Sequence, residues 1–374
     1  MQKNTRPTVA EIDLGAIGYN LKGIRRKIGK ARRIMAVVKA NAYGHGMVEV
    51  AKFAAAGYAE YLGVAIPEEG AKLREAGIRV PVHVFTIPAR EQATLFPDYG
   101  LEATVCSLNE ARWLSRAAER ARRNIPVHLK VETGMNRVGV QIERLKDFLK
   151  HFRKLRRLEI KGVFSHFATS DERNKRFSRL QLERFERALE IIRRENVSPE
   201  LIHMANSAAI LDLPESYFSM VRAGMMIYGY YPSRATSESI PIKRAMTVKS
   251  KVVYVKQIER GESVGYGRTF IARRRTRIAS VPIGYADGFS RMLSGKASVL
   301  IHGKKFPLAG TVAMDQIMVD VGSELVAVGD EVVVLGKQRT QNISAWDLGR
   351  QLGTLPYEVC CMVSARVPRV YKQY

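Results

Sequence analysis

The chain has 374 residues, of which 46% are hydrophobic and 26% charged, an ordinary globular mixture and not a disordered one. Its 61 Lys and Arg outnumber its 36 Asp and Glu, a net charge of +25, yet the longest basic run is only Arg273–Arg275, and no zinc finger, RNA-recognition motif or P-loop accompanies it, which argues against a nucleic-acid partner. Three cysteines are too few for a disulfide framework, and no stretch approaches about 18 uninterrupted apolar residues, so no membrane span is expected.

The first segment, 1–14, is charged and lacks the apolar core of a signal peptide, so a cytoplasmic protein is expected. Short apolar runs then recur, beginning with Ile34–Val38, Tyr61–Ile66, Pro81–Phe85 and Glu102–Val105. Pro126–Val131, Ile160–Phe164, Leu201–Met204 and Met220–Val221 complete a set of eight. Bounded by turn residues, such runs suit buried parallel strands.

Helical patterns lie between them. Ser107-Leu-Asn-Glu110 is a capping box, followed by a stripe of Leu108, Ala111, Leu114, Ala117 and Ala121. Pro67 suits the start of another helix and Gly77 its end. Leu182, Phe185, Ala188, Leu189 and Ile192 form a further stripe. The α/β alternation predicts an N-terminal (β/α)8 barrel over residues 1–240. A doubly wound sheet is the alternative, because periodicity does not say whether a sheet closes. After about Pro241 the runs alternate, as in Thr247–Val255, Arg277–Ile283 and Glu331–Leu335, and only Ser344–Leu352 reads as helical. Residues 241–374 are therefore expected to form a C-terminal β-rich domain.

Lys39 ends the first apolar run, where a barrel has its active-site mouth. A lysine above an apolar floor is desolvated, which lowers its pKa and leaves a nucleophilic amine. By position alone, a lysine snorkelling to the rim is the favoured reading.

The segment Val37–Gly46 reads Val-Val-Lys-Ala-Asn-Ala-Tyr-Gly-His-Gly. It resembles the pyridoxal phosphate (PLP) attachment motif of alanine racemases. The resemblance continues in order through His128–Gly139, Phe164–Phe167, Arg222–Gly229 and Gly265–Thr269, then Ile283–Gly288, Met314–Gln316 and Arg366–Arg369. It implies a PLP-binding barrel and a homodimer whose active sites are shared between subunits. It also implies alanine as substrate, with D-alanine supplied to peptidoglycan synthesis, and no metal.

Carried over residue by residue, the resemblance makes Lys39 the lysine that holds PLP. Tyr43 would bind its phosphate, with Asn206, Ser207, Gly224 and Met225 nearby. Ser207 also reads as a helix N-cap. Tyr357 would touch the cofactor and, with Tyr285, line the entry passage. His166 would stack on the cofactor ring. Arg222 would face the ring nitrogen. A guanidinium only donates, so that nitrogen would stay unprotonated and the cofactor would be a weaker electron sink. Arg137 would reach the phenolic oxygen and the substrate carboxylate. Lys130, often carbamylated in the family, would orient Arg137. Its neighbours Glu132 and Asn136 depart from the Asp and Gly associated with these positions. Met314 would approach the substrate through its backbone, with Asp315 steadying the loop. Tyr266 would be the second acid/base group, contributed by the partner. His128 and His203 read as structural.

Three rivals stand beside this reading. The nearest is a relative acting on another amino acid such as serine or lysine, and the missing export signal argues against a periplasmic broad-specificity racemase. A barrel-fold PLP decarboxylase of basic amino acids fits the Tyr266 region and Arg222 poorly. A basic RNA-binding protein is opposed by the scatter of the cations.

Overall fold

A computed structural model describes residues 5–373. They fall into two units, one of 16–42 and 47–243, the other of 5–15, 43–46 and 244–373.

Strand β1 (Val9–Asp13) belongs to the second unit. The first unit holds β2 (Arg33–Val37), β3 (Tyr61–Val64), β4 (Val82–Val84), β5 (Ala103–Val105) and β6 (Ile125–Glu132). A two-residue β7 (Val140–Gln141) follows, then β8 (Leu158–Phe164), β9 (Leu201–His203) and β10 (Met220–Ala223). All eight apolar runs are strands.

They pair in parallel as β10-β2-β3-β4 and β5-β6-β8-β9. Backbone bonds close both seams. Val84 N donates to Glu102 O and Glu102 N to Val82 O, each at 2.9 Å. Arg222 N donates to Ala205 O at 2.9 Å across the other seam. The sheet is thus a closed barrel, and the doubly wound alternative falls.

The helices form where the pattern places them. The capping box at Ser107 opens a helix over Leu108–Ala121, which buries Ala111, Leu114 and Ala117. The helix Arg176–Arg194 buries Leu182, Phe185, Ala188 and Ile192. Among the described residues, no helix is long and apolar enough to cross a membrane.

The second unit adds β11 (Met246–Lys251), β12 (Tyr254–Ile258), β13 (Ser263–Val264), β14 (Phe270–Ile271), β15 (Thr276–Val281) and β16 (Ser298–Ile301). It ends with β17 (Lys304–Pro307), β18 (Ile317–Gly322), β19 (Glu331–Gln338), β20 (Gln341–Ile343) and β21 (Arg369–Lys372). The expected single run Thr247–Val255 is two strands. β11 pairs with β1 and β19, whereas β12 pairs with β15. Val252 N donates to Asp330 O and Val253 N to Ser280 O, so the chain changes sheets there without losing its backbone bonds. A second helix, Pro356–Met362, joins the expected one at Ala345–Leu352, whose cap is Ser344. The sequence reading passed over this helix because it spans barely two turns, too short for its Pro356, Val359 and Cys360 stripe to stand out as a helical period.

Candidate active site

In the barrel unit, the candidate residues gather at the C-terminal ends of the strands. Lys39 follows β2, Lys130 lies late in β6, and Arg137 sits in the loop between β6 and β7. His166 follows β8, Asn206 and Ser207 follow β9, and Arg222 lies late in β10, with Gly224 and Met225 beyond it.

Lys39 opens a strained turn. Ala40, Asn41, Ala42 and Tyr43 have φ of 53°, 53°, 54° and 50°, one turn of left-handed helix. Such a turn costs about 1–2 kcal/mol per L-residue, so it must be held by its surroundings. Ala40 N donates to Glu69 Oε1 at 2.7 Å, Met47 N to Asn41 Oδ1 at 2.9 Å, and Ala42 N to Val38 O at 2.8 Å. The amine of Lys39 is thereby carried on a braced segment.

Lys130 is buried, with Nζ 5.2 Å from the centroid of the Phe164 ring, and Arg222 Cζ lies 5.6 Å from the same centroid. Burial, then Arg222, then Arg137 lower the Lys130 amine to about 8, against the opposing pull of Glu132 and Cys106. Arg137 is exposed on its loop. Asn136 before it has φ +54°, a conformation glycine adopts freely and asparagine tolerates better than most residues. The departure from Gly at this position is therefore compatible with a left-handed turn.

Arg222 is 4% exposed and anchored on every side. Its Nη1 donates to the Nδ1 and the carbonyl of His203, both at 2.9 Å. Its Nη2 donates to Ser165 O at 2.8 Å, Met204 O at 2.9 Å and His166 Nδ1 at 3.0 Å. Among the described residues these bonds all leave from Nη1 and Nη2, so the Nε hydrogen is the donor left for a ligand. Burial lowers the guanidinium to about 9, which still leaves it charged at pH 7.

His166 draws the group together. Burial, followed by the charges of Arg222, Lys130, Arg137 and Lys39, holds its imidazole well below the usual histidine range. It is neutral, and four cations act on it. A site of this kind suits an anionic ligand.

Asn206, not Ser207, is the helix N-cap, and its Oδ1 accepts from Ala209 N at 3.1 Å. Ser207 Oγ instead accepts from Gly224 N at 3.1 Å, tying the turn after β10 to the turn after β9. That amide is thus engaged within the protein.

Tyr43, Tyr266, Tyr285, Met314, Asp315 and Tyr357 belong to the other unit. Burial, then Cys361 and Tyr357, push the Tyr43 hydroxyl above the usual tyrosine range, so it stays protonated and can donate. Its turn is locked in place. A Cβ on Gly44 would lie 2.1 Å from the Cys360 carbonyl oxygen, and Arg369 donates to Gly44 O from Nε at 3.0 Å and Nη2 at 2.9 Å. That clamp accounts for the arginine that ends the Arg366–Arg369 motif.

Tyr266 is 74% exposed, on a turn whose carbonyl accepts from Thr311 Oγ1 at 3.0 Å. Tyr285 N and Ala286 N donate to the carbonyls of Ala313 and Met314 at 3.1 and 3.0 Å. A Cβ on Gly284 would lie 2.3 Å from Met314 O, so the two turns pack backbone to backbone. Asp315 pairs with Arg366 at 2.7 Å, an ion pair that links the Met314 loop to the Arg366–Arg369 motif.

Sequence reasoning missed a file of polar groups inside the barrel. His83, His128 and His203 are fully buried, and Glu102 and Lys161 join them. The available signal was their recurrence as polar residues within otherwise apolar strands.

Residues 12–232 match the family model described as "Alanine racemase, N-terminal domain", and 245–371 match "Alanine racemase, C-terminal domain". The chain is 42% identical to the alanine racemase of Halothermothrix orenii over 98% of this chain and 97% of that protein. It is similar to the solved alanine racemase of Clostridium difficile 630, with a TM-score of 0.95, 37% identity, and 99% and 97% of the two chains covered. It is also similar to the histidine racemase of Leuconostoc mesenteroides subsp. sake, with a TM-score of 0.92, 27% identity and 99% of each chain covered.

Proposed function

This chain belongs to the alanine racemase family and is a PLP-dependent amino-acid racemase, and from that premise we propose that it interconverts L- and D-alanine. We further propose that it works in the cytoplasm, as a homodimer with shared sites, and that its D-alanine enters peptidoglycan synthesis.

The residues present suit the cofactor's chemistry. PLP carries an aldehyde, a phenolic oxygen, a phosphate and a basic ring nitrogen. Lys39 offers an amine for the aldehyde, and Arg137 a cation for the phenolic oxygen. Tyr43, Asn206, Ser207, Gly224 and Met225 are assigned to the phosphate end, with Tyr357 also at the cofactor. Ser207 Oγ already accepts the Gly224 amide, so its own hydroxyl hydrogen is the donor it can offer. Arg222 has its Nε hydrogen for the ring nitrogen. When bound, PLP supplies a conjugated sink for the electron pair left on the substrate's α-carbon.

The protein's own residues do the rest. Lys39 removes or returns the α-proton on the D side, and Tyr266 of the partner subunit does so on the L side. Two faces require two bases, because the planar carbanion must be protonated opposite to where it lost its proton. Arg137 orients the substrate carboxylate and is itself oriented by Lys130 as a carbamate. Met314 approaches the substrate through its backbone, and Tyr285 and Tyr357 line the passage. The exposure of Tyr266 supports its delivery to a second subunit.

The observation that carries the reading is the gathering of Lys39, Lys130, Arg137, His166 and Arg222 at the C-terminal strand ends of one barrel, where Arg222 Nη2 donates to His166 Nδ1 at 3.0 Å. The likeness to a histidine racemase favours one second reading, in which the same fold acts on another amino acid such as serine, lysine or histidine. The PLP-loaded protein incubated with a panel of L-amino acids, with D-product read by chiral chromatography, tests both. Alanine should exceed the others by at least about tenfold, the scale a small pocket can discriminate. A faster rate with another amino acid would replace the first reading by the second.

A further inference from the structure

The buried polar file inside the barrel runs from Arg222 to the N-terminal side of β5. Arg222 Nη1 lies 2.9 Å from His203 Nδ1, and His203 Nε2 lies 2.9 Å from His128 Nδ1. His128 Nε2 lies 2.8 Å from Glu102 Oε2, and Lys161 Nζ donates to Glu102 Oε1 at 2.6 Å. Five side chains from five barrel segments form one continuous chain.

Its polarity is forced. Arg222 can only donate, so His203 Nδ1 must accept. Neutral His203 then carries its hydrogen on Nε2, and His128 Nδ1 must accept it. His128 therefore carries its hydrogen on Nε2 and donates to Glu102. An ionised carboxylate closes the chain, because it accepts from His128 and Lys161 together. Burial opposes that charge, but the bonds from His128 and Lys161 prevail and hold Glu102 below the usual carboxylate range. Burial, then the charge of Arg222, keeps His203 well below the usual histidine range, as the neutral form requires.

The barrel is shaped around this file. A Cβ on Gly162 of β8 would lie 2.3 Å from His128 Nδ1, so only glycine leaves room for the ring. His83 packs against the same ring with centroids 4.1 Å apart.

We propose that Glu102 is a positioning residue for the reaction, which sets the tautomers of His128 and His203 and so holds Arg222 in its donating pose. The proposal rests on the reading that Arg222 faces the ring nitrogen of PLP. A neutral amide at position 102 keeps an acceptor at only one of the two oxygen positions, Oε1 and Oε2, that take hydrogens from Lys161 and His128. Glutamine has one oxygen for two donors, His128 and Lys161. If its NH2 faces His128, both imidazoles must reverse, and His203 presents a hydrogen to Arg222.

Three variants test it: Glu102→Gln, Lys161→Met, and the two combined. Removing Lys161 removes the competing donor, so the glutamine oxygen can turn to His128 in the double variant. In PLP-loaded protein, the measurements are the 15N shifts of the histidine ring nitrogens, the visible band of bound PLP, and kcat and KM. E102Q should lose the Nε2–H pattern at His203, shift the visible band, and lower kcat about tenfold, the scale of outer-shell partners elsewhere. KM should stay within about twofold, because the loss falls on the reacting state. K161M should resemble the parent, and the double variant should recover its nitrogen shifts, band and kcat. Parental nitrogen shifts in a folded E102Q would overturn the proposal, and so would altered shifts in a folded double variant. If E102Q does not fold, the double variant alone decides. If no variant and no parent binds PLP, the cofactor reading fails, while the nitrogen shifts still judge the hydrogen-bond chain.

Discussion

Lys130 holds its amine 5.2 Å from the centroid of the Phe164 ring, in a barrel interior that also contains Arg222. The ring's negative face favours a cation there. Burial and the neighbouring arginines oppose it more strongly, and the amine falls to about 8. Attack on CO2 requires a neutral amine, the form that the carbamate proposed for Lys130 would need.

That balance has a measurable sign. The neutral fraction of Lys130 is about a tenth at pH 7 and about a half at pH 8 for an amine titrating near 8. At fixed dissolved 13CO2, a carbamate signal in 13C spectra should therefore grow from pH 7 to pH 9. Lys130→Ala should lose activity and regain part of it with small carboxylate anions. A fully active Lys130→Ala without added anion would reject the role.

Gly162→Ala should destabilise the protein by about 1–3 kcal/mol, the usual cost of overpacking. The added methyl would meet His128 at 2.3 Å in the crowded barrel interior. Urea unfolding of both proteins measures the difference, and an unchanged midpoint would show that the ring can move at no cost.

Lys39→Ala and Tyr266→Phe homodimers should each be nearly inactive. In a heterodimer of the two, one shared site carries both lesions and the other neither. Mixing them under conditions that exchange subunits should therefore restore activity. Demonstrated exchange with no recovery would place both residues on one chain.

Equilibrium ties the forward and reverse efficiencies of a racemase together, so Tyr266→Phe should slow both directions equally. Exchange of the α-proton with solvent separates the two bases. With Tyr266 gone, Lys39 can still remove the proton of D-alanine and return a deuteron, because the three hydrogens of its ammonium group interchange by rotation. In D2O, Tyr266→Phe should exchange D-alanine faster than it racemises it, and faster than it exchanges L-alanine. Mass spectrometry after chiral separation reads all three rates. Preferential exchange of L-alanine would reverse the assignment.

Local elements, and the places of the chemistry-bearing residues along the chain, were readable from residue pattern alone. Eight apolar runs became eight strands because strand formation depends on short-range pattern and turn residues. Ser107 and Glu110 formed their capping box because both partners lie within one turn. Lys39 was legible as a strand-end residue for the same reason. The resemblance then assigned roles that pattern alone left open. What met across the barrel depended on how the strands closed. Arg222, His203, His128, Glu102 and Lys161 lie far apart in sequence, and closure of the sheet brings them into one hydrogen-bonded file. The sequence reading of His128 and His203 as structural had no access to that file, because a histidine's tautomer depends on partners supplied by other strands. The break at Val252 and Val253 was likewise invisible, since an unbroken apolar alternation does not record which sheet receives each backbone bond. Asn206 took the N-cap from Ser207 because the Gly224 amide, from the next strand's end, claimed the serine oxygen.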